Sequence, residues 1–161
     1  MATTVTVKVF FEAAHRLHNP AKSDDWNRRV FGKCNNPHGH GHNYVIEAVV
    51  QGDPDPESGY LIDMKDLKEV LNRTVVDLVD HRHLNIEVPW LAGIIPTAEN
   101  LARVFFERAE PELPDGVGLV AHRRRKRCFV LRCEGWCIEP HTCDGHRPRS
   151  PQYSRQLCLS R

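Results

Sequence analysis

The segment Cys34-Asn-Asn-Pro-His-Gly-His-Gly-His-Asn-Tyr44 places one cysteine, three histidines and two glycines within eleven residues. In an extended strand successive side chains point to opposite faces, so His38, His40 and His42, each two residues from the next, are expected to share one face. That is metal-ligand geometry. Gly39 and Gly41 carry no side chain between them and let a neighbouring strand or a ligand come close to the backbone. Histidine tags sit at chain ends, whereas this run lies between a turn and an apolar strand, so a decorative tract is the weaker reading.

Outward from this segment, Tyr44, Ile46, Ala48 and Val50 alternate with Val45, Glu47, Val49 and Gln51, which predicts a strand closed by Gly52-Asp-Pro-Asp-Pro56. Before it, Val5, Val7, Val9 and Phe11 alternate with Thr4, Thr6 and Lys8 and predict an earlier strand that ends at Glu12-Ala-Ala-His15. His15 is thereby expected at a strand terminus, where side chains can converge on a site. The polar segment from Asn19 to Lys33, with Pro20 and Ser23-Asp-Asp, reads as a long loop of the kind that forms lids. Asp63 is a good N-cap for a helix whose apolar stripe is Met64, Leu67, Leu71, Val75 and Leu78. That helix ends in Asp80-His-Arg-His-Leu-Asn85, a dense cluster of polar and titratable groups. Pro96-Thr97 opens a second helix with Leu101, Val104, Phe105 and Ala109 as its buried face, ended by Pro111 and Pro114. Two strands followed by two helices predict an α+β domain, with helices on one face of an antiparallel sheet.

At 161 residues and 18.5 kDa the chain suits one domain with a real core. No apolar run reaches eighteen residues and the N-terminus, Met-Ala-Thr-Thr-Val-Thr-Val, reads as a strand and not as a secretory leader. A cytosolic protein with no membrane partner is therefore expected. The net charge of +1 hides an asymmetry: residues 1–120 hold 12 Lys and Arg against 18 Asp and Glu, and residues 121–161 hold 10 against 3. Cysteine is as uneven, with Cys34 ahead of residue 121 and Cys128, Cys133, Cys137, Cys143 and Cys158 behind it. A lone thiol beside a histidine cluster points to chemistry or metal binding before disulfides. The basic run Arg123–Arg127 lacks interleaved aromatics or a recognisable module, so no nucleic-acid partner is expected.

With these motifs in view, the chain resembles the 6-pyruvoyl tetrahydropterin synthases over residues 3 to 118. The matching stretches are Phe11-Glu-Ala-Ala-His-Arg-Leu, Val30-Phe-Gly-Lys-Cys-Asn-Asn-Pro-His-Gly-His-Gly-His-Asn-Tyr, Leu78-Val-Asp-His-Arg-His-Leu-Asn and Pro96-Thr-Ala-Glu-Asn. The spacing from Cys34 to His40 favours the pyruvoyl-forming enzymes over the related 6-carboxytetrahydropterin synthases of queuosine biosynthesis, the alternative reading. The resemblance implies the tunnelling fold, a sheet with two helices on one face, trimers that close sheets into a barrel, and a homohexamer of two stacked trimers. It also implies a phosphorus-oxygen lyase of tetrahydrobiopterin biosynthesis, converting 7,8-dihydroneopterin triphosphate to 6-pyruvoyl tetrahydropterin plus triphosphate.

For the site, the resemblance implies zinc held by His15, His40 and His42, with the fourth tetrahedral position open as in catalytic centres. His38 is then spare. Cys34 is the expected base, with Asp80 orienting His81 in a relay as in other triads. Thr97 and Glu99 match the pterin-proximal segment, and Arg16 and Lys33 are triphosphate contacts by charge alone. Plain readings stand beside these: an inert thiol for Cys34, a helix C-terminal cap for Asp80 and His81, and a first-turn dipole partner for Glu99.

The resemblance fails after Leu119, where the family continues into a hairpin with a glutamate that grips the pterin. The expected division is a synthase domain over 1–119 and a basic, cysteine-rich tail over 120–161, disordered or read out of frame, in which Phe129, Val130 and Leu131 could make a short strand. A rival reading gives Cys128, Cys133, Cys137, His141, Cys143 and His146 a second, structural zinc, although no Cys-x-x-Cys pair supports it. Without the hairpin the sheet keeps an open edge. The chain is then expected to lack synthase activity and a stable hexamer, or to be an inactive zinc- or pterin-binding homologue.

Overall fold

The runs of alternating β-branched and polar residues form two strands of 13 residues each, β1 (Thr3–His15) and β2 (His40–Gly52), in a computed structural model that describes residues 3–119 and the strand 130–134. They pair antiparallel along their whole length, from Thr3 opposite Gly52 to His15 opposite His40. Val7, Val9, Phe11 and Ala13 of β1 are buried, as are Tyr44, Ile46, Ala48 and Val50 of β2, so the two sets line the core face. On that face Phe11 stacks on Tyr44, its register partner, with ring centroids 4.6 Å apart and planes 7° from parallel. The histidines continue the same column. A short strand β3 (Arg82–His83) joins β1 in parallel, so the sheet is mixed and not purely antiparallel as the sequence pattern led us to expect.

Three helical segments lie beside this sheet, one more than expected. The segment read as a loop contains α1 (Asp24–Phe31), capped by Ser23, whose Oγ accepts from the Trp26 N–H, with Asp24 and Asp25 in its first turn. Asn27 is fully buried and its amide donates to the carbonyls of Asn19, Lys22 and Ser23, which supplies the partners a coil alone would leave unsatisfied.

Asp63 caps α2 (Met64–Leu71) as expected, its carboxylate accepting from the Lys65 N–H. The helix then passes through a π turn (Asn72–Val76) into α3 (Asp77–Val79). A π turn inserts one extra residue and rotates the next turn of helix about the axis, so the buried face slips from Leu78 to Val79. Val79 is fully buried and Leu78 is 36% exposed, while Leu67, Leu71 and Val75 are core as expected and Met64 is 58% exposed. Arg108 braces the slip: its Nε donates to the Thr74 carbonyl at 3.0 Å and its guanidinium lies 4.3 Å from the Trp90 ring centroid. α4 (Ala98–Ala109) is capped by Thr97 and buries Leu101, Val104, Phe105 and Ala109, with Phe105 edge-on to Phe11 at 5.9 Å.

After α4, β4 (Gly118–Leu119) pairs with Val50 and Gln51, and β5 (Val130–Glu134) pairs antiparallel with Asn43–Glu47. Each thus adds to the free edge of β2, and the described residues hold no hairpin between them. β5 nevertheless ends on a glutamate, opposite Asn43, where the sequence pattern gave no strand with a glutamate. The waiting edge of β2, and not local alternation, selects this run, as is usual for strands whose propensity depends on context. The second-zinc cluster and the out-of-frame reading fall chiefly on residues 120–129 and 135–161, outside the described residues.

Candidate functional site

The site begins at the end of the β1–β2 ladder, where core side chains give way to imidazoles. His15 and His40 are register partners and His42 is opposite Ala13, so the three rings share one face of the sheet. Their centroids lie 4.6 to 4.9 Å apart and their ligating atoms all fall within 4.8 Å of one another. His38 does not join them. Gly39 donates to the Asn36 carbonyl at 2.9 Å, closing a turn with Pro37 at its second position, and this leaves His38 exposed and outside the strand.

Each ring is held from behind or left open towards the centre. His15 Nδ1 donates to the Pro96 carbonyl at 2.9 Å and lies 3.3 Å from the Tyr44 hydroxyl, which fixes the tautomer with Nε2 bare. That Nε2 stands 3.1 Å from His40 Nε2, close to the separation of about 3.3 Å between two nitrogens on a tetrahedral zinc. Both nitrogens of His42 and Nδ1 of His40 are buried with no hydrogen-bond partner among the described residues. Burial and the neighbouring histidines hold all three imidazoles neutral, which is the ligating form. The His15 pKa falls to about 3, through burial first and then His42 and His40. His42 falls to about 4 through burial and His40, and His40 is lowered by burial and His83. A neutral, convergent set of three nitrogens with unused lone pairs fits a metal ion.

Cys34 lies in a 3-10 turn (Gly32–Asn35) just before the histidine segment and is partly exposed. The residues after His15 staple this turn in place. Leu17 N–H donates to the Cys34 carbonyl at 2.8 Å, Arg16 Nε donates to the Asn35 carbonyl at 3.2 Å, and His18 Nδ1 meets Asn35 Oδ1 at 3.0 Å. Arg16, Arg28, Lys33, Asn35 and Asn36 line a cleft here with Asp24.

Asp80 and His81 are joined, Nδ1 to carboxylate at 2.9 Å, but they occupy a different place from the three histidines. They sit at the outer edge of β1: Asp80 Oδ1 accepts from the Glu12 N–H, and His81 N–H donates to the Glu12 carbonyl. Glu12 alternates with Ala13 and His15, and the His81 ring stands beside its exposed carboxylate, away from the buried face. The bond from the Glu12 N–H, followed by His81, lowers the Asp80 pKa, and Asp80 in turn raises that of His81. His81 also has φ +57°, a left-handed conformation uncommon outside glycine. Thr97 is the N-cap of α4, its hydroxyl accepting from the Asn100 N–H, and Glu99 is exposed in the first turn.

Two contributors were not legible in sequence. The Pro96 carbonyl is a backbone group without a side-chain signal, although Pro96 stands in the matched Pro-Thr-Ala-Glu-Asn stretch. His83 lies beside Gly39, and an added Cβ at that glycine would meet His83 Nε2 at 2.6 Å. Its signals are the density of titratable groups after Leu78 and its place in the matched Leu78–Asn85 stretch.

The chain matches the family model described as 6-pyruvoyl tetrahydropterin synthase over residues 4–132, which reaches past Leu119 into β5. It is 39% identical over 113 residues to the 6-pyruvoyl tetrahydrobiopterin synthase of Homo sapiens, spanning 70% of this chain and 78% of that one. It is 38% identical over 133 residues to the enzyme of the same name in Dictyostelium discoideum, spanning 81% and 97%. The solved structure of Caenorhabditis elegans 6-pyruvoyl tetrahydropterin synthase superposes with a TM-score of 0.69 at 34% identity, over 83% of this chain and 89% of that one. No helix among the described residues is long and apolar enough to cross a membrane.

Proposed function

The chain belongs to the 6-pyruvoyl tetrahydropterin synthase family, a family of lyases, and from that premise we propose that it converts 7,8-dihydroneopterin triphosphate to 6-pyruvoyl tetrahydropterin and triphosphate in the cytoplasm, in tetrahydrobiopterin biosynthesis. The observation that carries this reading is the convergence of His15, His40 and His42 as three neutral nitrogens within 4.8 Å. Zinc bound by them would supply Lewis acidity at the substrate's side-chain hydroxyls and hold the charge that develops as protons leave carbon. The reaction needs no external oxidant or reductant: the carbon-oxygen bond to triphosphate breaks, so the step is a carbon-oxygen elimination and not the phosphorus-oxygen cleavage expected above, and hydrogens shift within the substrate.

The chain's own groups do the rest. Cys34, as thiolate, takes a proton from the side-chain carbon, and the turn stapled by Arg16, Leu17 and His18 holds it in place. Asp80 keeps His81 oriented and readily protonated, and since the pair stands apart from this chain's own histidine face, the thiol it would exchange a proton with is that of a neighbouring chain. The pair's exposure leaves it free to act on a neighbouring chain's site in a hexamer. Thr97 and Glu99 lie close in sequence to the Pro96 carbonyl that fixes His15, and they take the pterin side of the substrate. The cleft bearing Arg16, Arg28 and Lys33 receives the triphosphate, since three cationic groups outweigh Asp24 and the Asp25 carboxylate paired with Arg28.

A second reading, an inactive zinc- and pterin-binding homologue, draws support from the family match ending at 132 of 161 residues. Incubating the zinc-loaded full-length chain with 7,8-dihydroneopterin triphosphate separates the two. Equal yields of triphosphate and 6-pyruvoyl tetrahydropterin support the synthase, and substrate bound but recovered unchanged supports the inactive homologue.

A further inference from the structure

His83 has no chemical role above, yet its Nε2 is the atom nearest to where a Cβ on Gly39, in the turn before His40, would stand. β3 fixes its backbone, with His83 in register opposite Ala14 and the Leu84 N–H donating to the Ala14 carbonyl at 2.8 Å. The adjoining turn locks it further. His83 N–H donates to Glu87 Oε2 at 2.6 Å, and the His83 carbonyl accepts from the Ile86 and Glu87 N–H groups at 3.0 and 2.9 Å.

From this rigid base the ring reaches the backbone of Gly39, which has φ +74°. A Cβ at that glycine would stand 2.6 Å from His83 Nε2 and 3.0 Å from the His15 carbonyl, so the imidazole and the β1 backbone together fill the space a side chain would need. The Nδ1 of His83 is buried without a hydrogen-bond partner among the described residues, as is Nδ1 of His40. Buried unpaired nitrogens are rare in native structures and call for a reason. One of them belongs to the residue that follows Gly39 and the other to the ring packed against that glycine.

We propose that His83 is a positioning residue for the histidine centre: wedged against Gly39, its ring fixes the turn that brings His40 Nε2 to His15 and His42. The inference rests on reading those three histidines as a metal site. It goes beyond that reading by adding a fourth histidine that shapes the site without ligating. Gly39 and His83 are then complementary, the glycine leaving the space and the imidazole occupying it.

The test uses Co2+ as a visible probe, titrated into metal-free full-length protein and into its His83→Ala and His83→Gln variants. The Ala variant is expected to bind Co2+ about 10- to 100-fold more weakly, the loss typical of removing an outer support from a metal ligand. Its absorption bands at saturation should match those of the parent, because all three ligand nitrogens are retained. The Gln variant, whose amide reaches about as far as Nε2, should recover most of the loss. A merely structural ring would lower the melting temperature and leave the affinity in place. An Ala variant that binds Co2+ within about twofold of the parent overturns the proposal. Shifted bands at saturation also overturn it, since His83 would then be a ligand. If the Ala variant does not fold, His83→Asn is judged by the same affinity and band criteria. A parent that takes up no Co2+ rejects the metal reading itself, an outcome distinct from a variant that binds as well as its parent.

Discussion

His15 and His40 face one another as partners across the β1–β2 ladder, their Nε2 atoms 3.1 Å apart, and the Pro96 carbonyl holds the far side of the His15 ring. Thirteen consecutive backbone pairs end on this one contact, so the ladder that builds the core also sets the ligand spacing. Replacing either ring removes a ligand without disturbing the strands. His40→Ala, chosen because His40 is the less buried of the two, is expected to lose most of its zinc in elemental analysis while keeping its circular dichroism. Full zinc content in that variant would remove His40 from the centre.

The depressed pKa values make a pH prediction for the metal-free protein. His15 and His42 stay neutral in the fold down to about 3 and about 4, whereas in the unfolded chain they protonate near the ordinary 6.5. Below 6.5 the unfolded state therefore binds more protons, and stability falls as pH falls, most steeply between about 6.5 and 4. His15, the more buried group, contributes a slope on the order of 1 kcal/mol per pH unit. Urea melts of metal-free protein at pH 7.5 and 5 should show a lower midpoint at pH 5, and His15→Asn should flatten the difference. An equal pH dependence in parent and variant would mean that His15 is not held neutral by the fold.

Cys34→Ala is expected to slow turnover about 100- to 10,000-fold, the range typical of a lost general base. Zinc content should not change, because Cys34 is not one of the three convergent histidines. A loss of zinc together with activity would instead make the thiol part of the centre.

Arg108 acts on stability, away from the histidine centre. Its Nε satisfies the Thr74 carbonyl in the π turn and its guanidinium stacks on Trp90. Arg108→Ala is expected to destabilise the protein by about 1 to 3 kcal/mol, since a charged donor to a half-buried carbonyl is lost along with the stacking. Chemical denaturation measures this directly, and a change below about 0.5 kcal/mol would show that the π turn needs no such brace.

Much of the fold and the site is readable in the sequence. The strands announce themselves because Val5 to Phe11 and Tyr44 to Val50 alternate without interruption, and caps at Asp63 and Thr97 mark the helices. His40 and His42 follow from strand periodicity, but His38 does not, because Pro37 and Gly39 close a turn that releases it from the face. α1 is hidden by its polar sequence, although Ser23-Asp-Asp and Arg28-Arg29 are its cap and dipole signals. Leu78 is misplaced by periodicity since a π turn shifts phase without a residue that announces it. β5 depends on a partner edge 83 residues or more away in sequence, as Glu47 pairs with Val130. The place of Asp80 and His81 on the outer edge of β1, apart from the histidine face, comes from a parallel pairing that local pattern cannot express.

If the three-histidine centre works as proposed, synthase activity follows its filling by zinc. Titrating zinc into the metal-free full-length chain while monitoring triphosphate release from 7,8-dihydroneopterin triphosphate tests it most directly. Release is predicted to rise from near zero in proportion to added zinc and to break at about one zinc per chain, as expected for a single three-nitrogen site. Release at full rate before any zinc is added, or none at saturation, would contradict it.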